Sequence, residues 1–133
     1  MPDVTIDDVT YVYQPNPQHR NRAPRKSQWQ ITSPEELIVF GTAIEEKWGG
    51  SPYYWGLHRP AGGPAYLGVD RDHRTRVFLA RFEACATPAV WHGYPVNHRD
   101  GRPSSDVLRK WLKDGILPPA KIAKIQARKP CNL

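Results

Sequence analysis

The stretch Ser33–Gly50, SPEELIVFGTAIEEKWGG, decides how the rest of the chain is read. Ser33 offers an oxygen to the free amides of a first helical turn. Pro34 fits that turn without losing a hydrogen bond, and Glu35 and Glu36 sit at the positive end of the helix dipole. Glu36 falls three positions after Ser33, the spacing of a capping box. Leu37, Phe40, Ile44 and Trp48 recur at helical spacing, and Gly49-Gly50 supplies a stop. The expectation is a helix over residues 34–48 that packs Leu37, Phe40 and Ile44 on strands containing Phe78 and Phe82. Neighbouring acids diverge on a helix, so Glu35-Glu36 and Glu45-Glu46 read as a cap and a solvated face, not as an acid pair.

Before this helix, Val4-Thr5-Ile6 and Val9–Tyr13 are rich in β-branched and aromatic residues and read as one strand or two short ones. Residues 14–27, QPNPQHRNRAPRKS, have three prolines and no apolar period, and read as a loop or a mobile basic arm. Trp29-Gln30-Ile31 resumes a strand. After the helix, Tyr53–Leu57 is short and aromatic, and PAGGP (60–64) is a turn. Ala65–Asp70 and Arg76–Glu83 read as a hairpin around RDHRT, with Phe78, Ala80 and Phe82 on one face and Val77, Leu79 and Arg81 on the other. Pro103–Asp106 opens a helix with the stripe Val107, Leu108, Trp111 and Leu112, and Gly115 stands at its left-handed end. Pro118-Pro119 starts a shorter helix with Ile122 and Ile125 inward and Lys121, Lys124 and Arg128 outward, a helix-turn-helix outline. The fold class expected is α+β: one domain over residues 1–133, with a small, mainly antiparallel sheet, one packed helix and a C-terminal helical pair.

A chain of 133 residues with 39% apolar side chains and five tryptophans is long and apolar enough for one buried core. The net charge is +6, and residues 102–133 alone carry eight Lys/Arg against two Asp. Clustered basic charge attracts polyanions. Two cysteines make no disulfide framework. There is no basic-then-apolar leader and no apolar run of about 18 residues, so a soluble, cytoplasmic protein with no membrane partner is expected. The glycines of PAGGP are not followed by a lysine and a helix, so they form no phosphate loop. Cys85, His92, His98 and Cys131 bear zinc-ligating atoms, but their spacing fits no standard zinc arrangement. No metal and no cofactor are expected.

One stretch concentrates reactive side chains: Trp91–Pro103, WHGYPVNHRDGRP. Histidine exchanges protons near neutral pH, arginine grips phosphate, and tyrosine donates or stacks. His92, Tyr94, His98 and Arg99 are therefore the candidate catalytic set for metal-independent phosphodiester cleavage. The same residues also read as a solvated turn in which His92 bonds a backbone carbonyl. Gly93, Pro95, Gly101 and Pro103 argue against regular structure. The expectation is an ordered, partly exposed segment with His92 and Tyr94 on a concave surface beside at least one arginine.

The leading function is a small basic domain that interacts with nucleic acid, RNA or single strands in preference to duplex DNA. Tyr53 and Trp55 would stack on bases. Arg20, Arg22, Arg25, Lys26, Arg59, Arg102, Lys121, Lys124 and Arg128 would contact phosphate. Two alternatives come from other classes: a toxin-like, metal-independent ribonuclease, and a protein-interaction module, such as an inhibitor or immunity partner, that meets an acidic protein.

Overall fold

The structure, a computed structural model, describes residues 3–50, 52–85 and 90–133, apart from the side chain of Cys85. That thiol, weighed above as a zinc ligand, thus lies outside the described residues. Strands β1 (Asp3–Ile6) and β2 (Val9–Tyr13) form a hairpin. Its two turn residues, Asp7 and Asp8, both have positive φ (51° and 64°), as the favoured two-residue hairpin turn demands. A 3-10 turn at Pro17–His19 and strand β3 (Gln28–Trp29) follow.

Helix α1 (Ser33–Glu45) starts and ends differently from the expectation. Thr32 is the cap: its Oγ1 accepts from the Glu35 amide (3.2 Å), and Glu35 Oε1 accepts from the Thr32 amide (2.9 Å). The physical reason is the phase of the apolar stripe. Glu36 shares a face with Phe40, Ala43 and Ile44, so it points into the core, where it is 1% exposed, and cannot reach back to a cap. At the other end Lys47, not a glycine, takes the left-handed position (φ 58°). Its amide donates to Ile44 O, and that of Trp48 donates to Ala43 O. This closes a Schellman motif one turn early and buries Trp48. Phe40 and Ile44 are buried as expected, with the Phe40 ring 5.2 Å from Phe82, whereas Leu37 is only half-buried.

The remaining strands are β4 (Tyr53–Leu57), β5 (Gly68–Val69), β6 (Arg76–Val77), β7 (Leu79–Cys85) and β8 (Val90–Val96). The larger sheet has the order β1-β2-β8-β7-β4 and is antiparallel except between β2 and β8. A three-stranded sheet runs β3-β5-β6. The expected hairpin pairs only Gly68-Val69 with Arg76-Val77. At Phe78 the chain leaves that sheet, and Leu79–Cys85 joins the other. Phe78 itself is buried and stacks on His98.

The start of WHGYPVNHRDGRP is a regular strand at the middle of the sheet, contrary to the expectation from its glycines and prolines. A Cβ on Gly93 would stand 2.2 Å from the Phe82 ring, so glycine here is what lets an aromatic ring lie flat on the strand. Pro95 lies past Trp91, the last β8 residue paired with β2, and so beyond the point where a proline would break that ladder. Its ring packs on Gly68 instead.

Helix α2 (Ser105–Lys113) is capped by Ser104 and ends in a second Schellman motif, with Gly115 at φ 69° and the Ile116 amide on Trp111 O (2.8 Å). Helix α3 (Pro119–Gln126) buries Ile122 and Ile125. The molecule is α+β, with a curled, mainly antiparallel sheet, a packed helix and a C-terminal helical pair. Among the described residues no helix is long and apolar enough to cross a membrane.

Candidate nucleic-acid interface

The register of the sheet builds the site. On one face, Trp55, Arg81 and Tyr94 are directly opposite one another across β4, β7 and β8. Tyr53, Glu83 and His92 form the next rung of that face. One rung further in the other direction, Leu57, Leu79 and Val96 are buried. A single strand face thus passes from core to open surface within three rungs, because side chains of one face recur at every second residue.

Arg81 is the centre of the open part. Its Nε donates to Tyr94 Oη at 2.7 Å, and its guanidinium carbon lies 4.6 Å from the centre of the Tyr53 ring and 5.2 Å from that of Tyr94. These contacts hold the cation over two π faces. Burial pushes the Tyr94 hydroxyl above its usual pKa, against the opposing pull of Arg81, so it stays protonated at neutral pH and keeps a proton to donate. His19 stacks on the Tyr94 ring at 5.3 Å, and its Nδ1 donates to Ser27 O (2.8 Å). Burial lowers the His19 pKa. His92 Nδ1 donates to Gln14 O at 3.0 Å, which leaves Nε2 as the nitrogen free for another partner among the described residues.

Arg81 joins two clefts. The first, about 610 Å³, holds Glu83, His92 and Tyr94 with the cations Arg25, Lys26 and Arg71. Two of its acids are engaged: Asp70 accepts from Asn97 Nδ2 (3.1 Å), and Asp100 lies 3.5 Å from Arg71. Among the described residues Glu83 makes no ion pair and no side-chain hydrogen bond. The second cleft, about 550 Å³, is lined by Tyr53, Trp55, Leu108, Arg102 and Arg128 and by no acidic side chain. The two clefts, which share Arg81 and are together called the trough, carry Arg25 and Lys26 in the first and Arg102 and Arg128 in the second.

Of the residues singled out in the sequence, this trough brings together Arg25, Lys26, His92 and Tyr94 at one end and Tyr53, Trp55, Arg102 and Arg128 at the other. The others lie elsewhere. His98 is buried, with Nε2 on Lys129 O at 2.5 Å, and holds the segment after α3 to the core. Arg99 is exposed in the turn after β8. Arg20 is not a free cation of a mobile arm. Its guanidinium grips the buried Glu36 carboxylate (2.7 Å) and Ile31 O (2.8 Å), and the Tyr13 hydroxyl donates to the same carboxylate. Burial, then the adjoining Glu36, raise the Tyr13 pKa far above its usual value. Arg22 is an exposed loop residue, Arg59 bonds Gly62 O in its own turn, and Lys121 and Lys124 lie on α3 outside both clefts.

Sequence reasoning overlooked Arg81 and Glu83. The signal was their alternation: charged residues two apart on a strand whose other face holds Ala80 and Phe82 belong to an open sheet face. Comparison with known protein families, characterised proteins and solved structures finds no match to the chain.

Proposed function

We propose that the protein binds single-stranded nucleic acid, RNA in preference to DNA, along the trough that crosses Arg81. The observation that carries this reading is the junction itself: a guanidinium flanked by Tyr53 and Tyr94, with Arg25 and Lys26 on one side and Arg102 and Arg128 on the other. Cations in line suit a phosphate backbone, and planar groups between them suit unstacked bases. Half-buried rings on a sheet floor favour bases that are splayed out, which a duplex does not present. Glu83 and Tyr94 supply an acceptor and a donor for a ribose 2′-hydroxyl, the group that separates RNA from DNA.

Fluorescence polarisation with labelled single-stranded RNA, single-stranded DNA and duplex DNA over a salt series tests this. The expected order of affinity is RNA, DNA, duplex. Arg102→Glu with Arg128→Glu should weaken RNA binding and reduce the slope of log K against log salt by about 2. Absence of RNA binding at low salt, with binding to an acidic protein instead, would favour a protein-interaction module.

A further inference from the structure

We infer that the same open face cleaves the RNA it binds, with Glu83 as general base, His92 as general acid and Arg81 as the cation that stabilises the phosphorane-like transition state. This rests on the RNA-binding reading. Four observations carry it. Glu83 and His92 are direct cross-strand partners in the register of β7 and β8. Directly opposite residues hold their Cβ atoms about 4.5–5.5 Å apart, so a carboxylate and an imidazole stand on one face within reach of a single phosphodiester. Both line the first cleft with Arg81 and Tyr94. Among the described residues no ion pair joins them and no other side chain engages Glu83, so both are available to a substrate. Finally, Gln14 O occupies His92 Nδ1, which turns Nε2 into the working nitrogen.

The step balances without a further reactant. The Glu83 carboxylate takes the proton of the ribose 2′-hydroxyl. The 2′-oxygen forms a bond to phosphorus while the bond from phosphorus to the 5′-oxygen breaks. His92, protonated, gives its Nε2 proton to that leaving oxygen. The products are a 2′,3′-cyclic phosphate and a 5′-hydroxyl. Glu83 is left protonated and His92 neutral, and exchange with water resets both. Arg81 Nη atoms face the non-bridging oxygens, where charge builds up, while its Nε stays on Tyr94. His98 has no part in this chemistry, since its Nε2 is committed to Lys129 O in the interior.

The test uses the full chain and a labelled 2′-deoxy oligonucleotide holding one ribonucleotide, an equal mixture of the four bases at that position, in EDTA. The all-deoxy oligonucleotide serves as the uncleavable binding probe. The expected result is scission at the ribose alone, with a 2′,3′-cyclic phosphate end. Glu83→Gln and His92→Gln, purified in parallel, should each lower the single-turnover rate at saturating protein about 10²–10⁴-fold while melting like the parent. Glu83→Asp should restore part of the rate lost in Glu83→Gln. A parent that binds the all-deoxy probe but leaves the ribose linkage intact overturns the cleavage inference and leaves binding standing. Equal cleavage by parent and both variants overturns it also. A parent that binds neither oligonucleotide nor single-stranded RNA removes the binding reading and the inference with it.

Discussion

The two faces of β7 and β8 use alternate residues of the same strands for opposite ends. On one face Phe82 lies on Gly93 and meets Phe40 at 5.2 Å and Tyr13 at 5.9 Å, all fully or almost fully buried. On the other face the neighbours of those two residues, Arg81, Glu83, His92 and Tyr94, are half-buried and line an open cleft. Neither face alone explains the sequence WHGYPV. Its glycine and proline serve the closed side, and its histidine and tyrosine serve the open one. The lesson is that Gly and Pro within a polar, aromatic stretch can mark close packing behind a site, not an irregular loop.

Substitutions on the two faces should therefore behave differently. The largest effect is expected from Phe82→Ala, which removes the ring that fills the space over Gly93. Thermal or denaturant unfolding should show a loss of about 3–5 kcal/mol. Glu83→Gln, one residue away, should change stability by less than about 0.5 kcal/mol, as expected for a near-isosteric change at a side chain with no ion pair or hydrogen bond among the described residues. Comparable losses in both would erase the distinction between the faces. The two histidines of the stretch sharpen it. His98→Ala removes a buried hydrogen bond and a stack on Phe78 and should cost about 1–3 kcal/mol. His92→Ala, on the open face, should unfold within about 0.5 kcal/mol of the parent. A stability loss at His92 as large as at His98 would make His92 a strut.

The smallest effect concerns pH. His19 lies behind the Tyr94 ring, and burial depresses its pKa in the folded state. The unfolded chain therefore takes up this proton first as pH falls. The stability that His19 contributes is fully present above about pH 6.5, the unperturbed histidine value, and is lost as pH falls through the folded pKa. Unfolding of the parent and of His19→Gln between pH 7 and 5 should show a shallower fall for the variant. Parallel curves would mean that His19 does not sense the interior.

Much of the architecture was legible in the sequence, for local reasons. The helix over 34–48 announced itself through its apolar period, and the helical pair through its stripe and Gly115. Their ends were less legible. A left-handed Lys47 leaves no compositional mark, and the choice between Thr32 and Ser33 as cap depended on which face Glu36 had to join. The site was half legible. His92 and Tyr94 stood out by residue type, but their partners Arg81 and Glu83 depend on the pairing of β7 with β8, and no feature of single residues specifies a register. The separation of His98 from His92 had the same origin: the strand ends at Val96, and the turn that follows carries His98 inward against Phe78.

The one parallel pairing in the larger sheet has a consequence for how the chain folds. Among the described residues β2 meets β8 at Val12–Val90 and Tyr13–Trp91, and Gln14 bonds His92 across a separation of 78 positions. A two-stranded ribbon has little stability of its own. Until the second half of the chain is in place, β1 and β2 lack the strand that completes their sheet. Closing so long a loop costs entropy before any contact rewards it, which slows the reaction. Strands β1 and β2, made before their sheet partner β8, are thus among the last elements of that sheet to find their places. Amide exchange during refolding should protect α2 and α3, whose helical hydrogen bonds span about four positions, well before it protects Val12.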